Sequence, residues 1–327
     1  MSHVPKVAIL DDYQRVALRM ADWSAIQSAC SITSFDRNLG SVEQAAAVLA
    51  DFEIVCLMRE RMPFPAALFE RLPALRLLVT TGTHNRTVDL SAALSHGVMV
   101  SHTRGGGTEN STAELTWALI LASARNVAYE DREMRNGAWQ STIGMTLHGK
   151  TLGLLGLGRI GSAVANIGRA FGMRLAAWSP HLAAERAAMA AAQLVSKDDL
   201  FAQSDVLTIH IVLSDQTRRL VGANELGKMK RHAIVVNTSR GPIIDEAALI
   251  SALQERRIGG AGLDVFDQEP LPRDHALRQL HNVVITPHLG YVSQESYKIY
   301  FNDVVENILA FLSGTPIRVL NPREAHA

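Results

Sequence analysis

The chain has 327 residues, a length that predicts two domains and leaves enough interior for a large apolar core. Lysine plus arginine and aspartate plus glutamate number 32 each, and no basic run appears, so the charge pattern gives no support for binding to nucleic acid or to an anionic membrane. Hydrophobic residues make up 47% of the chain, but the longest apolar runs have the length of strands, which argues against a membrane span.

Residues 1–6 lead directly into a strand pattern, without the apolar stretch of a signal peptide. The two cysteines, Cys30 and Cys56, lie in apolar segments and lack the spacing of metal ligands. We therefore expect a cytoplasmic protein whose cysteines are reduced and buried, and we expect no metal site.

The first hundred residues alternate between strand and helix patterns, which predicts a parallel sheet covered by helices. A longer apolar pattern, with Leu115, Leu119 and Ala122 on one face, predicts a helix that is long enough to connect two domains. The predicted strands cover 7–10, 54–58 and 75–80, and the predicted helices cover 42–50, 66–71 and 112–125.

A second alternation begins at Thr151 and predicts a doubly wound sheet of six strands. Asp245 is expected to cap the helix over 245–256, and the alanine-rich segment 182–192 favours a helix. The last helix, over 293–312, carries an apolar stripe and could return to the first domain. The six predicted strands cover 151–157, 173–178, 206–211, 233–237, 260–264 and 283–285, and the stripe consists of Val304, Ile308 and Phe311.

The first strand of this second sheet runs into a glycine turn, Gly-Leu-Gly-Arg-Ile-Gly, and then into a helix. Gly156 permits the tight turn, Gly158 lets the backbone approach a pyrophosphate, and Gly161 lets the helix pack against the strand. The unpaired N–H groups at the helix start, which includes Arg159 and Ile160, favour phosphate. Because a strand precedes the turn and a helix follows it, the motif predicts a dinucleotide site.

Three further segments, 237–241, 262–270 and 286–290, lie at the ends of predicted strands, where an open α/β sheet binds its ligands. Each offers one ionisable side chain, namely Arg240, Glu269 and His288. Any one of them alone is better explained as a surface charge or a turn residue. Together, behind a dinucleotide turn, they predict a catalytic cleft.

The ordered motifs GLGRIG, NTSRG, GLDVFDQEP and TPHLG resemble those of the D-isomer-specific 2-hydroxyacid dehydrogenase family, over nearly the whole chain. The resemblance implies a Rossmann domain with a doubly wound parallel sheet over 105–292. It also implies a flavodoxin-like substrate domain built from 1–104 plus 293–327, an active cleft between the domains, and a homodimer formed through the cofactor domains. Trp139 lies in a stretch that commonly crosses to the dimer partner, although a core tryptophan would fit the pattern equally well.

The resemblance also implies a role for each candidate catalytic residue. Arg240 matches the residue whose guanidinium holds the carboxylate of a 2-keto acid and polarises its carbonyl. His288 is the candidate proton donor in reduction and proton acceptor in oxidation. Glu269, within hydrogen-bond reach, should favour the imidazolium form of His288 and fix its orientation.

Asp264 matches the family position that accepts a hydrogen bond from the nicotinamide carboxamide, and Thr112 the residue that borders the nicotinamide. The segment that contains His210 and Val212 resembles the one near the phosphates and ribose, although Val212 replaces a common proline. The cofactor-binding residues predicted outside the glycine turn are Thr112, Ser179, His210, Val212, Thr217, Thr238 and Asp264.

Ser179 stands where a site that prefers NAD generally carries an acidic residue for the adenosine ribose. Serine removes the charge that would repel a 2′-phosphate, yet no arginine follows immediately to bind one. NAD is therefore the predicted cofactor and NADP stays open. The alternative is that Ser179 only begins a turn before Pro180.

The predicted substrate loop, Thr81-Gly82-Thr83-His84-Asn85, has His84 where family members often carry glycine. In the family, backbone N–H groups of this loop hold the substrate carboxylate. We expect Gly82, Thr83 and His84 to bind substrate, although the side chain of His84 could equally point to solvent. Arg59 is a further substrate candidate, for which a surface position is about as plausible.

These residues together predict an NAD(P)-dependent oxidoreductase that interconverts a small 2-keto acid and its D-2-hydroxy acid. Glyoxylate and hydroxypyruvate are the reasonable substrates. The alternative from another class is a dinucleotide-sensing interaction protein, like the corepressors that share this fold, and a formate-dehydrogenase-like activity is a weaker third option.

Overall fold

The computed structural model describes residues 3–321, and the chain divides into two compact units. Unit 1 consists of the chain up to Gly107 and from Ser293 onward, and unit 2 of Thr108–Val292. The sequence-predicted boundary after residue 104 lies in the same loop, before the helix that begins at Thr108.

Unit 1 contains a five-stranded sheet in the order β2-β1-β3-β4-β5, with every pair parallel. This is the order of a flavodoxin-like sheet, in which the strand order reverses between β1 and β3. The strands are β1 Lys6–Ile9, β2 Ser31–Ser34, β3 Ile54–Leu57, β4 Leu77–Thr80 and β5 Met99–His102. The sequence predicted β1, β3 and β4, whose short apolar runs supply the buried faces of the sheet.

Four helices precede the crossing into unit 2: α1 Ser24–Gln27, α2 Val42–Leu49, α3 Ala66–Phe69 and α4 Leu90–Ser95. The longest of them, α2, begins at Ser41, whose side chain accepts from the Gln44 N–H while the Gln44 side chain accepts from the Ser41 N–H. This capping box satisfies two N–H groups that a helix start leaves unpaired. Cys30 and Cys56 are free and buried, as predicted.

Unit 2 contains a seven-stranded parallel sheet in the order β12-β11-β10-β9-β6-β7-β8. All six predicted strands are present, and the seventh, β8, is a two-residue edge strand. The strands are β6 Thr151–Leu155, β7 Arg174–Trp178, β8 Gln193–Leu194, β9 Val206–Ile209, β10 Ile234–Asn237, β11 Gly260–Leu263 and β12 Val283–Ile285. With helices between the strands of both sheets, the predicted α/β fold class is confirmed.

Seven helices belong to unit 2: α5 Thr108–Ala124, α6 Val127–Arg135, α7 Arg159–Ala170, α8 Ala184–Met189, α9 Lys197–Gln203, α10 Ala223–Lys228 and α11 Glu246–Gln254. The side chain of Asp245 accepts from the Ala248 N–H, which confirms it as the cap of α11. The predicted helix over 112–125 begins four residues earlier, at Thr108, and the alanine-rich segment forms only the six residues of α8.

The last helix, α12 Gln294–Leu312, belongs to unit 1, as the apolar stripe suggested. Val304 and Ile308 are fully buried. The helix also buries a charge that the sequence pattern did not predict, since Asp303 has no exposed surface. Burial opposes its ionisation, but hydrogen bonds from the Arg104 side chain and N–H hold the pKa of Asp303 below its usual value. This pair fixes α12 to the loop that follows β5.

Within residues 3–321, none of the helices combines the length and the hydropathy needed to cross a membrane.

Candidate functional site

The glycine turn follows β6 and excludes side chains at two of its three glycines. Gly156 has φ +99°, and a Cβ there would lie 2.7 Å from the His210 carbonyl carbon. A Cβ at Gly161 would lie 2.3 Å from the Gly156 carbonyl oxygen. Both obstacles are backbone atoms that cannot turn away, so only glycine lets α7 start this close to β6 and β9.

Gly158 differs, because a Cβ at this position would meet nothing within 4 Å. It lies just before α7, with extended backbone, and Arg159 beside it is exposed. The helix has 12 residues, and its first N–H groups lack partners within the helix, so they are available to an anion. Residues 156–161 therefore fit the pyrophosphate of a dinucleotide, as the motif predicts.

Ser179 is the first residue after β7, the strand next to β6. It is partly exposed, and its carbonyl oxygen accepts from the Leu182 N–H at 3.2 Å in a turn. The turn interpretation and the ribose interpretation are therefore compatible, since the backbone makes the turn and the hydroxyl stays a neutral group at the strand end.

The loop after β9 contains three predicted cofactor residues. Burial lowers the pKa of His210 to about 3, so this ring is neutral, and its Nε2 lies 2.9 Å from Thr208 Oγ1. Val212 is 60% exposed, an uncommon state for valine. The hydroxyl of Thr217 donates to the Val212 carbonyl and accepts from the Ser214 N–H, so Thr217 shapes the loop.

Glu269 and His288 form the shortest contact among the predicted catalytic residues. His288 Nδ1 lies 2.6 Å from Glu269 Oε2, and Glu269 Oε1 accepts from the Phe266 N–H at 3.0 Å. Burial opposes ionisation of this carboxyl, but the hydrogen bond and charge of His288 outweigh it, so the pKa of Glu269 lies below its usual value. The engaged Nδ1 leaves Nε2 as the ring nitrogen for proton exchange with a substrate.

Arg240 belongs to the same neighbourhood, because its charge also contributes to the low pKa of Glu269. Its Nη1 donates to the Ser239 carbonyl at 2.7 Å, and its own carbonyl accepts from Asn237 Nδ2 at 2.9 Å. The next residue, Gly241, lies directly against the Glu269 loop, since a Cβ there would be 2.0 Å from the Phe266 carbonyl carbon. The structure thus brings Arg240, Glu269 and His288 together.

Asp264 has a structural role that the sequence did not reveal. It has no exposed surface, and its Oδ1 accepts from the Thr286 hydroxyl at 2.6 Å and the Leu289 N–H at 2.7 Å. Its Oδ2 accepts from the Gly290 N–H at 2.8 Å. Burial raises the pKa of Asp264 although these hydrogen bonds favour its charged form. Asp264 therefore anchors the loop that carries His288, and its contact with a nicotinamide stays a prediction.

Two buried threonines complete the predicted set in unit 2. Thr112 donates to the Gly290 carbonyl at 2.9 Å and so contacts the His288 loop. The hydroxyl of Thr238, just after β10, lies 2.8 Å from that of Thr116. Sequence reasoning missed Tyr291, whose ring packs edge-on against His288 with centroids 5.4 Å apart. An aromatic residue three positions after a histidine carries no signal that would have found it.

Residues 117–290 match the model of a family described as D-isomer specific 2-hydroxyacid dehydrogenase, NAD binding domain. The chain belongs to this dehydrogenase family. The predicted family is confirmed, and unit 2 carries its NAD-binding domain.

Named relatives agree with the family model. A glyoxylate reductase from Aeropyrum pernix is 43% identical over 256 residues, which make up 76% of either chain. A hydroxypyruvate reductase from Blautia hydrogenotrophica is 31% identical over 97% of this chain and 99% of its own length. The crystal structure of a phosphoglycerate oxidoreductase from Vibrio cholerae O395 has a TM-score of 0.89 and 35% identity, covering 95% of this chain and all of the other. These relatives support the dehydrogenase hypothesis over the corepressor alternative.

In this dehydrogenase, the predicted substrate residues of unit 1 also come together. A Cβ on Gly82 would lie 1.4 Å from Arg59 Nη1, so the guanidinium packs directly on the loop after β4. The same Nη1 donates to the Thr81 carbonyl at 3.2 Å. Arg59 has φ +54°, a left-handed conformation held by Thr81 Oγ1 at its N–H and by Asn85 Nδ2 at its carbonyl.

Thr83 and His84 are exposed, with Thr83 Oγ1 3.0 Å from His84 Nδ1. The expectation that the loop's N–H groups face a substrate carboxylate needs a correction at Gly82, because its N–H donates to Thr103 Oγ1 at 2.7 Å. A threonine on the neighbouring strand end is invisible to a pattern read along the chain.

Proposed function

We propose that this chain reduces small 2-keto acids to D-2-hydroxy acids with NADH, and that glyoxylate and hydroxypyruvate are among its substrates. The observation that carries the proposal is the 2.6 Å contact between His288 Nδ1 and Glu269, beside Arg240, in a dinucleotide-binding unit. The names of the glyoxylate and hydroxypyruvate reductases among its relatives support the substrate class.

Each of the three residues has one chemical task. The planar guanidinium of Arg240 holds the keto-acid carboxylate with two parallel hydrogen bonds and stabilises charge that develops on the carbonyl oxygen. His288 gives that oxygen a proton from Nε2, and in the reverse direction takes it back. When bound, the reduced nicotinamide supplies the hydride for the carbonyl carbon.

Glu269 keeps the proton donor ready for this task. Its lowered pKa means that it stays ionised at neutral pH, and a carboxylate 2.6 Å from Nδ1 stabilises the imidazolium that donates. The same contact fixes the ring so that Nε2 points away from Glu269. A carboxamide at 269 would keep the orientation and lose the charge.

We propose that NADH is the preferred cofactor and that NADPH is also accepted. Ser179 supports this, since a neutral side chain after β7 neither attracts nor repels a 2′-phosphate. The neutral ring of His210 supports the preference for NADH, because it adds no positive charge that would attract the 2′-phosphate of NADPH.

In unit 1 we propose that Arg59, Thr83 and His84 contribute to keto-acid binding, with Gly82 as the surface on which Arg59 packs. The packing of the Arg59 guanidinium on Gly82 supports the assignment, since it leaves the cation on the loop with the two exposed side chains. Arg59 supplies charge, and Thr83 with His84 supplies hydrogen-bonding groups for a polar tail.

We also propose a homodimer formed through unit 2. After α6, Trp139 is 75% exposed and Ile143 is 97% exposed, and large apolar side chains in this state favour a protein partner. Sedimentation should give a dimer for the wild-type protein and a weaker one for Trp139→Ala. The cytoplasmic location stays a prediction from the sequence.

The activity is tested by following NADH or NADPH at 340 nm with glyoxylate, hydroxypyruvate, pyruvate and phenylpyruvate. Oxidation of NADH with glyoxylate or hydroxypyruvate, lost in His288→Ala, supports the proposal. Tight NADH binding without turnover of any of the four acids contradicts it and favours a dinucleotide sensor.

A further inference from the structure

Unit 1 contains a buried carboxylate that the proposed chemistry does not use. Asp11 follows β1, is 1% exposed and has φ +57°. Its Oδ1 accepts from the Tyr13 hydroxyl at 3.0 Å, whereas Oδ2 is buried and has no hydrogen-bond partner among residues 3–321. Burying an ionised oxygen without a partner is unfavourable, so burial raises the pKa of Asp11 to about 6.

Asp12, the next residue, shows what a structural aspartate in this loop looks like. Its carboxylate accepts from the Val16 and Ala17 N–H groups and from the Ser34 hydroxyl, which joins the loop to β2. The two aspartates are almost equally buried, yet Asp12 has three donors where Asp11 has one. The environment of Asp11 therefore does not favour its ionised form.

A cation lies against Asp11 from the loop after β3. Arg61 Nη1 donates to the Asp11 carbonyl at 2.6 Å, Nη2 donates to the Tyr297 hydroxyl at 3.3 Å, and the guanidinium lies 5.1 Å from the centre of the Tyr13 ring. The positive charge of Arg61 opposes the rise in the pKa of Asp11 without cancelling it. The groups that face Asp11 are thus Tyr13 from its own loop, Arg61 from the next, and Tyr297 from α12 through Arg61.

These groups lie at the switch point of unit 1, where the strand order of the sheet reverses. Asp11 follows β1 and Arg61 follows β3, the two neighbouring strands at the switch point of the order 2-1-3-4-5. Open α/β sheets bind ligands outside the carboxyl ends of the strands at this point. Arg59, two residues before Arg61, lies on the same loop and packs on Gly82 after β4.

We infer that Asp11 is a titrating positioning residue, which controls through Arg61 how strongly unit 1 attracts an anionic substrate. When Asp11 is ionised, it offsets the charge of Arg61. When it takes up a proton, the switch point gains one net positive charge and holds a carboxylate more tightly. The inference rests on the proposed function, since it assumes that a keto acid binds at this edge of the sheet.

The test compares KM for glyoxylate between pH 5 and 8 in the wild-type protein, Asp11→Asn and Tyr13→Phe. We expect the wild-type KM to rise about three- to tenfold through a step near pH 6, the effect of one partly screened charge. Asp11→Asn should remove this step and keep the low KM, because other titrating groups contribute equally to both proteins. Tyr13→Phe should move the step to higher pH, because the lost hydrogen bond favours the ionised form.

Asp12→Asn is the matched control, and it should retain the step even if the protein becomes less stable. A step that persists in Asp11→Asn, or one that Tyr13→Phe leaves in place, overturns the inference. If Asp11→Asn does not fold, the wild-type and Tyr13→Phe profiles still decide between the two outcomes.

A readout independent of turnover separates this inference from the proposed function. The carboxyl carbon of Asp11, observed by NMR in the intact protein with ¹³C-labelled aspartate, should titrate near pH 6, and titration near 4 overturns the inference. If no keto acid is reduced, the proposed function fails. In that case the Kd for oxamate, measured in the presence of NADH between pH 5 and 8, replaces KM. If the Kd changes with pH in the same way in the wild type and in Asp11→Asn, the inference is overturned as well.

Discussion

The pyrophosphate assignment can be tested by adding one methyl group to the glycine turn. Gly158→Ala places a Cβ where the structure has nothing within 4 Å, and the extended backbone of residue 158 suits alanine. The protein itself should therefore accept the change. Gly227→Ala is the matched control, since its Cβ also meets nothing within 4 Å but lies on α10, away from the turn.

We expect Gly158→Ala to weaken dinucleotide binding more than it changes the stability of the protein. A methyl group at residue 158 fills the space that a phosphate oxygen needs to reach the first N–H groups of α7. Losing one hydrogen bond to a charged group costs about 1.5–3 kcal/mol, which corresponds to roughly 10- to 150-fold in Kd. The cost to stability is smaller, because alanine in place of glycine before a helix changes the free energy of unfolding by about 0.5 kcal/mol. Gly227→Ala should gain up to about 1 kcal/mol.

The assay is a titration of each protein with NADH, followed by the fluorescence of the nucleotide, beside urea unfolding of the same preparations. Gly158→Ala should unfold within about 1 kcal/mol of the wild type and bind NADH at least tenfold more weakly. Gly227→Ala should bind NADH normally. An unchanged Kd in Gly158→Ala would show that the pyrophosphate does not approach residue 158, and the reasoning from the open space would be wrong.

Four further changes test the remaining roles. His288→Ala should lower kcat for keto-acid reduction by roughly 10²–10⁴-fold and leave NADH affinity intact, and an unchanged kcat would remove His288 from the mechanism. Arg240→Lys should raise KM and lower kcat for glyoxylate, because an ammonium cannot form the planar two-point contact, and normal kinetics would mean that another group holds the carboxylate. Ser179→Asp should raise the kcat/KM ratio of NADH over NADPH, and an unaltered ratio would place its side chain away from the ribose. For Asp11, the pKa of about 6 lies above the value of the unfolded chain, so the folded protein binds more protons between about pH 4 and 6, and stability falls as pH rises through this window. Urea unfolding should show Asp11→Asn gaining about 1.4 kcal/mol on the wild type between pH 5 and pH 8, and a difference that does not change with pH would contradict this.

The central strands could be predicted from the sequence because each is a short, uninterrupted apolar run between turn residues. β2, β5 and β8 lack such a run and were missed, and β5 reads Met-Val-Ser-His with only two apolar residues. β2 reads Ser-Ile-Thr-Ser at an edge and is mostly exposed, and β8 is two exposed residues at the other sheet's edge. An edge strand covered on neither face needs no apolar pattern, so no periodicity marks it.

In the candidate site, the motifs predicted that Arg240, Glu269 and His288 meet, since the carboxyl ends of parallel strands lie at one edge. The anchoring role of Asp264 could not be predicted, because its donors lie 22 to 26 residues further along the chain. Asp11 gave no signal either, since an aspartate beside a second aspartate and a tyrosine is typical of a solvated turn. Burial of a polar side chain depends on which loops pack over it, and spacing along the chain does not encode that.

His288 shows how two carboxylates divide the work of holding one catalytic ring. Its φ of +56° is unfavourable for a residue with a Cβ, and such backbone persists only where its surroundings hold it. Asp264 provides that hold, because it accepts from the N–H groups of the two residues that follow, Leu289 and Gly290. Glu269 instead fixes the ring through Nδ1.

The environments of the two carboxylates push their pKa values in opposite directions, upward for the buried Asp264 and downward for Glu269 beside the imidazole. Of the two, Glu269 hydrogen-bonds to the ring that gains and loses a proton, whereas the charge of His288 acts on Asp264 through space and does not outweigh its burial. Asp264 is matched to N–H groups and to a hydroxyl, none of which changes its charge during the reaction. The chemistry of the two partners thus explains why the site needs both an aspartate that shapes the main chain and a glutamate that follows the proton.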